Sequence, residues 1–430
     1  MKASIITLGC KVNQFESTAM SQMLSSIGYE MVDAVDADLV IVNTCTVTHK
    51  ADGEAVSIIK RLKRSNPKVN IVGTGCLAQI DPGALSGPGL ADIVLGQIEK
   101  ADIIRRLNLP KGSVEVSQNL TEFSDFGDPR PSRTRAFHKI QDGCKANCSY
   151  CAVPLARGSS RSQPLERALK GIENYLDMGI KEVVLTGIHL GHWGGDLEPK
   201  LNLTDLLNAI DGGFGDELAD MRIRLSSLEP LEIPLVTDAL SKFSWLAPHI
   251  HAPVQSGSDR ILSLMRRPYD QGRVYEILKR LKDDFVDLNL GTDIICGFPS
   301  ETEEDFQESL KLLELLPFGY LHVFPFSPRA GTKAASLEQA VPEEVKRRRV
   351  SQLRRLGKVK KQTFLKTQLG RTRRALVENT PHRASGRAKI LTDNYIQALL
   401  PKGFIATPGE AIEVTIAPCD NPWDLATALP

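Results

Sequence analysis

Three short apolar runs, each closed by a cysteine, constrain this chain more than any other feature. They are Ile5-Ile6-Thr7-Leu8-Gly9-Cys10, Leu39-Val40-Ile41-Val42-Asn43-Thr44-Cys45 and Val69-Asn70-Ile71-Val72-Gly73-Thr74-Gly75-Cys76. Each is β-branched and bounded by Gly, Asn or Thr, as a strand buried in a parallel sheet would be. Helical periodicity follows the first two, over residues 17–27 and 54–62. Strand, cysteine and helix therefore recur about one βαβ period apart. Parallel strands all point one way, so Cys10, Cys45 and Cys76 are expected together at the carboxyl edge of an open α/β sheet, where such sheets bind ligands. One cysteine there would be a small apolar residue ending a strand. Three at equivalent strand ends read as a three-thiolate metal site. Gly73-Thr74-Gly75-Cys76-Leu77-Ala78 also fits the dinucleotide pattern G-x-G-x-x-A. It follows the third strand, however, and Asp81-Pro82-Gly83 spoils the helix start that would hold pyrophosphate.

A second group of thiols lies in Asp142-Gly143-Cys144-Lys145-Ala146-Asn147-Cys148-Ser149-Tyr150-Cys151, spaced C-x3-C-x2-C. Iron–sulfur clusters and zinc both take thiolate ligands. A structural zinc site wants a fourth Cys or His, and the nearest, His138, falls on the far side of an expected strand. Three cysteines without an obvious fourth suit a cubic cluster with one iron left open. Core burial is the better reading for any single cysteine, but a poor one for three this close.

The spacing, Tyr150 and the following Pro154-Leu155-Ala156-Arg157-Gly158 resemble the cluster loop of the radical S-adenosylmethionine (SAM) enzymes. The resemblance implies that SAM chelates the open iron of a 4Fe–4S cluster and is cleaved by an electron from it, giving methionine and a 5′-deoxyadenosyl radical. Leu8-Gly9-Cys10-Lys11-Val12-Asn13, Asn43-Thr44-Cys45-Thr46-Val47-Thr48 and Thr74-Gly75-Cys76-Leu77-Ala78-Gln79 resemble the N-terminal domain of the methylthiotransferases. That resemblance covers essentially the whole chain and implies a second 4Fe–4S cluster on Cys10, Cys45 and Cys76. The Lys-Val-Asn and Thr-Val-Thr variants are similar to the branch that converts N6-threonylcarbamoyladenosine (t6A) in tRNA to its 2-methylthio derivative.

Three domains are expected from 430 residues: residues 1–125, 130–360 and 361–430, with a Pro-, Ser-, Asp- and Arg-rich linker over 108–135. Strand-like runs over 136–141, 182–187, 221–226, 249–254, 288–295 and 320–326 alternate with helices. Six such units predict a partial (βα)6 barrel, with its active site at the carboxyl ends of the strands. The loop of Cys144, Cys148 and Cys151 follows the first strand and so lies there. Thr186 and Gly187, then Ser226 and Glu229, then Gln255-Ser256-Gly257-Ser258, then Asp293 and Ile295 follow later strands, and with Tyr150 form the expected SAM pocket. Turn and capping roles compete at each position, and Ser300-Glu301-Thr302-Glu303 reads as a helix start with a capping box. His189, His192 and Trp193 share a Gly-rich loop, more suited to surface or substrate than to a third metal. Arg157 and Arg161 are placed to meet a carboxylate or phosphate. The family often has Arg where this chain has Gln163. Cys296 is expected in the core and Cys419 at the surface.

Residues 342–374 hold thirteen Lys or Arg against Glu343 and Glu344. Val350, Leu353 and Leu356 give this stretch a thin apolar stripe, so a basic amphipathic helix begins after Pro342. Short strands over 372–378, 388–392, 396–400 and 411–416 suit a small β-barrel, similar to the TRAM RNA-binding module of tRNA methylthiotransferases. Net charge is only +1. The chain lacks a signal peptide or a stretch long enough to cross a membrane, so a cytoplasmic protein with reduced thiols is expected. The expected activity is t6A methylthiolation just 3′ of the anticodon, using two 4Fe–4S clusters and SAM. The partners are the tRNA anticodon loop, an electron donor such as flavodoxin or ferredoxin, and a sulfur source. Rivals are the same reaction on isopentenyladenosine or a ribosomal aspartate, a non-catalytic iron–sulfur RNA-binding protein, and a remote dinucleotide oxidoreductase.

Overall fold

Six parallel strands build the N-terminal layer of the computed structural model, which describes residues 1–418 and 426–429. Cys419 lies outside the described residues. The strands are β1 (Lys2–Thr7), β2 (Glu30–Met31), β3 (Leu39–Thr44), β4 (Asn70–Gly75), β5 (Ile93–Leu95) and β6 (Ser113–Glu115), in the order β2-β1-β3-β4-β5-β6. The three cysteine-ending runs are β1, β3 and β4, adjacent in the sheet. All six residues of β3 are buried, and they alternate between two cores. Leu39 and Ile41 pack with Phe15, Ala19 and Met20 of the helix Lys11–Ser26. Val40 and Val42 pack with Ala55, Ile59 and Leu62 of the helix His49–Ser65 on the other face. Each such side chain contributes about 1.5–3 kcal/mol on burial. Thr48 caps the second helix by accepting from Ala51 N–H at 3.2 Å, which starts it earlier than apolar periodicity indicates. β2, β5 and β6 are too short to carry a period-2 signal; β6 falls inside the stretch expected to be linker.

The central layer holds β7 (Ala136–Lys139), β8 (Gln141–Asp142), β9 (Arg161–Ser162), β10 (Glu182–Thr186), β11 (Arg222–Leu225), β12 (His249–His251), β13 (Asn289–Cys296) and β14 (Tyr320–Pro325). All six expected barrel strands are present, as two parallel ladders, β7-β10-β11 and β12-β13-β14, joined by a bridge between Ile223 and Leu246. β8 and β9 form an antiparallel clasp around the cysteine loop between them. Cys296 is buried in the barrel core as expected, and burial pushes its thiol up to about 12. The capping box before the helix Glu303–Leu315 is Thr302 with Asp305, two residues beyond the expected Ser300 and Glu303. Glu301 instead turns back onto the backbone N–H groups of Gly297 and Phe298.

A helix runs unbroken from Glu343 to Gln368. Val350, Leu353 and Leu356 face the barrel core. Its cations do not form one solvated face: Arg349 and Lys346 are buried, Arg349 on Glu301 and Glu303. The chain ends in a closed barrel, β15 (Thr372–Val377), β16 (Lys389–Thr392), β17 (Gln397–Leu399), β18 (Ala411–Ala417) and β19 (Ala426–Leu429), ordered β15-β16-β17-β19-β18. Four of these strands match expectation; β19 completes the closure. This barrel docks at the starts of the central strands. Arg222 donates to Arg374 O and Leu391 O at 3.0 and 3.3 Å, and Asn394 to Asp287 O at 3.1 Å.

Candidate active site: two three-cysteine centres

Cys10, Cys45 and Cys76 meet at the carboxyl edge of β1, β3 and β4, close enough that Cys45 is raised to about 12 by burial and by its two neighbouring thiols. Gly9 lets them converge. Its φ is +101°, and a Cβ there would lie 2.8 Å from the Cys45 Sγ. Donors surround the sulfurs: Val47 N–H to Cys45 at 3.5 Å and the Gln97 amide to Cys76 at 3.4 Å.

Cys144, Cys148 and Cys151 lie at the carboxyl end of β7, in the loop held by β8 and β9. Gly143 is required at the turn: φ is +70°, and a Cβ would sit 2.0 Å from Ser159 O. Gln141 braces the loop from below, donating to Asp142 O, Gly143 O and the Ser160 hydroxyl and accepting from His189 N–H at 2.7 Å. Ala146 N–H points at Cys144 Sγ (3.3 Å), Val153 N–H at Cys151 Sγ (3.4 Å) and the Arg267 guanidinium at Cys148 Sγ (3.0 Å). All six thiols are free of disulfides. Soft donors in threes, with N–H groups already aimed at five of the sulfurs, fit iron–sulfur ligation, in which such bonds stabilise thiolate charge.

A buried ion network joins the two centres. Glu16, on the helix that begins after Cys10, takes Arg157 at 3.0 Å and Lys100 at 2.5 Å. Arg157 also binds Asp142 at 2.9 Å and Asn13 at 2.6 Å, and Lys139 lies 3.2 Å from Asp142. Burial raises the Glu16 carboxyl, but Arg157, Lys100 and Lys139 outweigh it and hold it down at about 2. Arg157 therefore meets carboxylates, as expected, but inside the molecule. Arg161 likewise lies 3.8 Å from Asp142 and donates to the carbonyls of Leu120, Arg157 and Ser159, so both buried guanidiniums are spent on carboxylates and carbonyls of the protein rather than on phosphate.

The expected SAM-pocket residues separate into free and engaged groups. Tyr150 and Ile295 share one small apolar cluster beside the loop. Thr186 is buried at the end of β10, and the bare Cα of Gly187 makes room for Gln141. The Ser226 hydroxyl is buried without a partner among the described residues. Gln255, at φ +72°, bridges to Ile294. Ser256 and Ser258 face away, onto Ser309 and Asp305 of the helix Glu303–Leu315. Glu229 pairs with Arg267. Asp293 accepts from His251 at 3.0 Å and His322 at 3.1 Å; burial opposes its ionisation, and these two imidazoles overcome that and hold it well below the usual range. The ligating atoms of these three residues come within 4.8 Å of one another. His189, His192 and Glu232 do the same, but His189 has both ring nitrogens engaged, by Cys144 at 3.4 Å and Glu232 at 2.6 Å. Trp193 is a core residue bonded to Gln163 O. His138 is no fourth ligand; it is buried against Ala168 O and Asp128. Gln141, Arg267 and Arg329 carry no motif that sequence reasoning could use. Arg329 ties the chain after β14 to Thr46 and Asp52 beside Cys45.

Known proteins resemble this chain in sequence and in fold. Residues 2–96 match the model of uncharacterized protein family UPF0004, and residues 139–313 that of the radical SAM superfamily. The threonylcarbamoyladenosine tRNA methylthiotransferase MtaB of Aquifex aeolicus is 36% identical over 412 residues, covering 92% of this chain and 96% of that protein. Its counterpart in Bacillus subtilis is 35% identical, covering 97% and 94%. The chain belongs to the radical SAM tRNA methylthiotransferases. A tRNA-2-methylthio-N(6)-dimethylallyladenosine synthase of Aquifex aeolicus is 33% identical, covering 88% of each, so both substrate branches of the family lie within reach of this sequence. Among solved structures, the radical SAM methyltransferase TsrM of Kitasatospora setae superposes with a TM-score of 0.54 at 14% identity, covering 78% of this chain and 77% of that one. That likeness is one of fold.

Proposed function

We propose that this methylthiotransferase converts N6-threonylcarbamoyladenosine in tRNA to its 2-methylthio derivative by radical SAM chemistry. The observation that carries the reading is end-to-end similarity to t6A methylthiotransferases, in a chain whose two cysteine triads lie on either side of one buried ion network. Its cofactors are SAM and two 4Fe–4S clusters, and Cys144, Cys148 and Cys151 would hold one while Cys10, Cys45 and Cys76 hold the other. When bound, these groups supply a radical able to remove the unactivated C2 hydrogen, which no ordinary side chain can do, together with the sulfur and methyl group.

The chain's own residues position that chemistry. Tyr150 and Ile295 offer SAM an apolar wall, and the Ser226 hydroxyl and Gln255 offer it polar contacts. Glu229 would act through Arg267, and Asp293 through its two imidazoles. The three-domain division, the TRAM-like role of the C-terminal barrel, a cytoplasmic site of action, a flavodoxin- or ferredoxin-like electron donor and a separate sulfur source belong to the same proposal. No helix among the described residues is long and apolar enough to cross a membrane.

The test is anaerobic reconstitution followed by reaction with anticodon stem-loop RNAs carrying t6A or isopentenyladenosine. Wild type should bind about eight irons, falling to about four in a Cys144→Ala/Cys148→Ala/Cys151→Ala variant. The t6A RNA should gain one methylthio group. Modification of the isopentenyl RNA alone, or of neither, overturns the reading.

A further inference from the structure

The barrel interior at the starts of its strands holds more positive charge than the protein neutralises. Lys11 follows Cys10 and begins the helix Lys11–Ser26. Among the described residues none hydrogen-bonds or ion-pairs with its Nζ. Arg135, Arg224 and Tyr395 are its charged and phenolic neighbours, and Arg224, Lys11 and Arg135 all act on His249. The carboxylates facing this space are already committed. Glu182 is shared by Arg222 and Arg224, with Arg135 at 3.8 Å. Glu378 lies 3.5 Å from Lys389 and 3.9 Å from Arg135, and Asp293 serves His251 and His322.

Two further nitrogens here are buried with no partner among the described residues, Arg224 Nη1 and His249 Nδ1, on side chains only 1% and 3% exposed. Tyr395 closes the floor, stacked on His249 at 4.3 Å with the Arg224 guanidinium 5.0 Å from its ring. Unpaired cations and donors in a partly desolvated space are costly unless an anion joins them.

We propose that Lys11, backed by Arg224, is the specificity-determining residue of this site and receives the carboxylate of the substrate's threonylcarbamoyl group. This assignment rests on the t6A activity proposed above. The chemistry fits in charge and in depth. A threonylcarbamoyl group ends in a carboxylate, whereas an isopentenyl group carries no charge. The C2 edge of the adenine must face the Cys144 loop, at the carboxyl ends of the strands. The C6–N6 bond diverges from C2–H across N1, so with C2 at the Cys144 loop the substituent can extend toward the strand starts where these cations lie. A carboxylate there gains charge-assisted hydrogen bonds that an isopentenyl chain cannot make.

The test compares stem-loop RNAs carrying t6A, its neutral carboxamide, or unmodified adenosine, by fluorescence anisotropy on reconstituted protein. Wild type should favour the acid over the carboxamide by about tenfold or more. Lys11→Gln should bind acid and carboxamide alike, with unchanged iron content, and Lys11→Arg should restore the preference. Lys11→Met supplies the same comparison if the glutamine variant fails to take up iron. Retention of the wild-type preference in Lys11→Gln or Lys11→Met overturns the assignment. So does an equal loss of affinity for all three RNAs, which would place a backbone phosphate on Lys11. A wild type that modifies isopentenyl RNA and not t6A RNA removes the t6A activity itself. One active on t6A whose Lys11 variants still discriminate removes the Lys11 assignment alone.

Discussion

Arg267 bonds a thiol in one centre and a carboxylate in the same pocket, and it has a direct consequence for the cluster. Its guanidinium donates to Cys148 Sγ at 3.0 Å and pairs with Glu229. Hydrogen bonds and positive charge beside a cluster sulfur raise its reduction potential. Arg267→Gln should therefore bind iron yet show a more negative midpoint in an EPR-monitored redox titration. His192→Ala, whose ring stacks on His189 without reaching a thiol, should leave the midpoint in place. An unshifted Arg267→Gln cluster would place that guanidinium outside the cluster's field.

At the scale of elements, the helix Lys11–Ser26 is bolted to Arg157 at the end of the cysteine loop by the Glu16 carboxylate and the Asn13 amide oxygen. Glu16 is fully buried between Arg157 and Lys100, so Glu16→Gln leaves those cations uncompensated and should cost about 3–5 kcal/mol in urea unfolding. Its folded pKa is depressed from 4.5 to about 2. Its stabilisation is therefore complete above the unfolded value and is lost as pH falls from 4.5 toward 2. Wild type should lose more stability than Glu16→Gln over that window, and equal losses would show that Glu16 is not the group responsible. The helix Glu343–Gln368 offers a second contrast. Leu353 is 0% exposed, so Leu353→Ala should cost about 2–5 kcal/mol. Arg355→Ala, on the exposed face, should stay within about 0.5 kcal/mol. Comparable effects would mean the helix does not seat as described.

The whole molecule places its two ends on one interior. The N-terminal sheet brings Cys10 toward the ion network under the Cys144 loop and Lys11 to the strand starts, which the C-terminal barrel seals with Tyr395. The helix Glu343–Gln368 presents Arg347, Arg354 and Arg355 to solvent, and an RNA that crosses this face is expected to meet them. Neutralising all three as Gln should weaken binding of modified and unmodified stem-loops equally. It should also flatten the salt dependence of log Kd by about two units of slope, the signature of lost phosphate contacts. An unchanged slope would move the RNA path to another face.

Much of this was legible in the sequence, because a strand buried on both faces shows as an unbroken β-branched run and a shared ligand type shows as a repeated residue. Thus β1, β3, β4 and the six barrel strands could be read along with both cysteine triads, and Pro342 marked the start of the last long helix. The short strands β2, β5, β6 and β19 are set by pairing with neighbours already in place, which leaves little local pattern to read. Partnership between residues far apart in the chain is a tertiary matter: Arg157 looked available to a ligand until Glu16, from a different layer, took it. The sequence by itself determined which chemistry the chain can hold, since soft ligands at fixed spacing admit few metals. Only the tertiary structure decided which charges are spent and which remain, because a lysine is free or paired according to what folds against it, and Lys11 has no partner among the described residues.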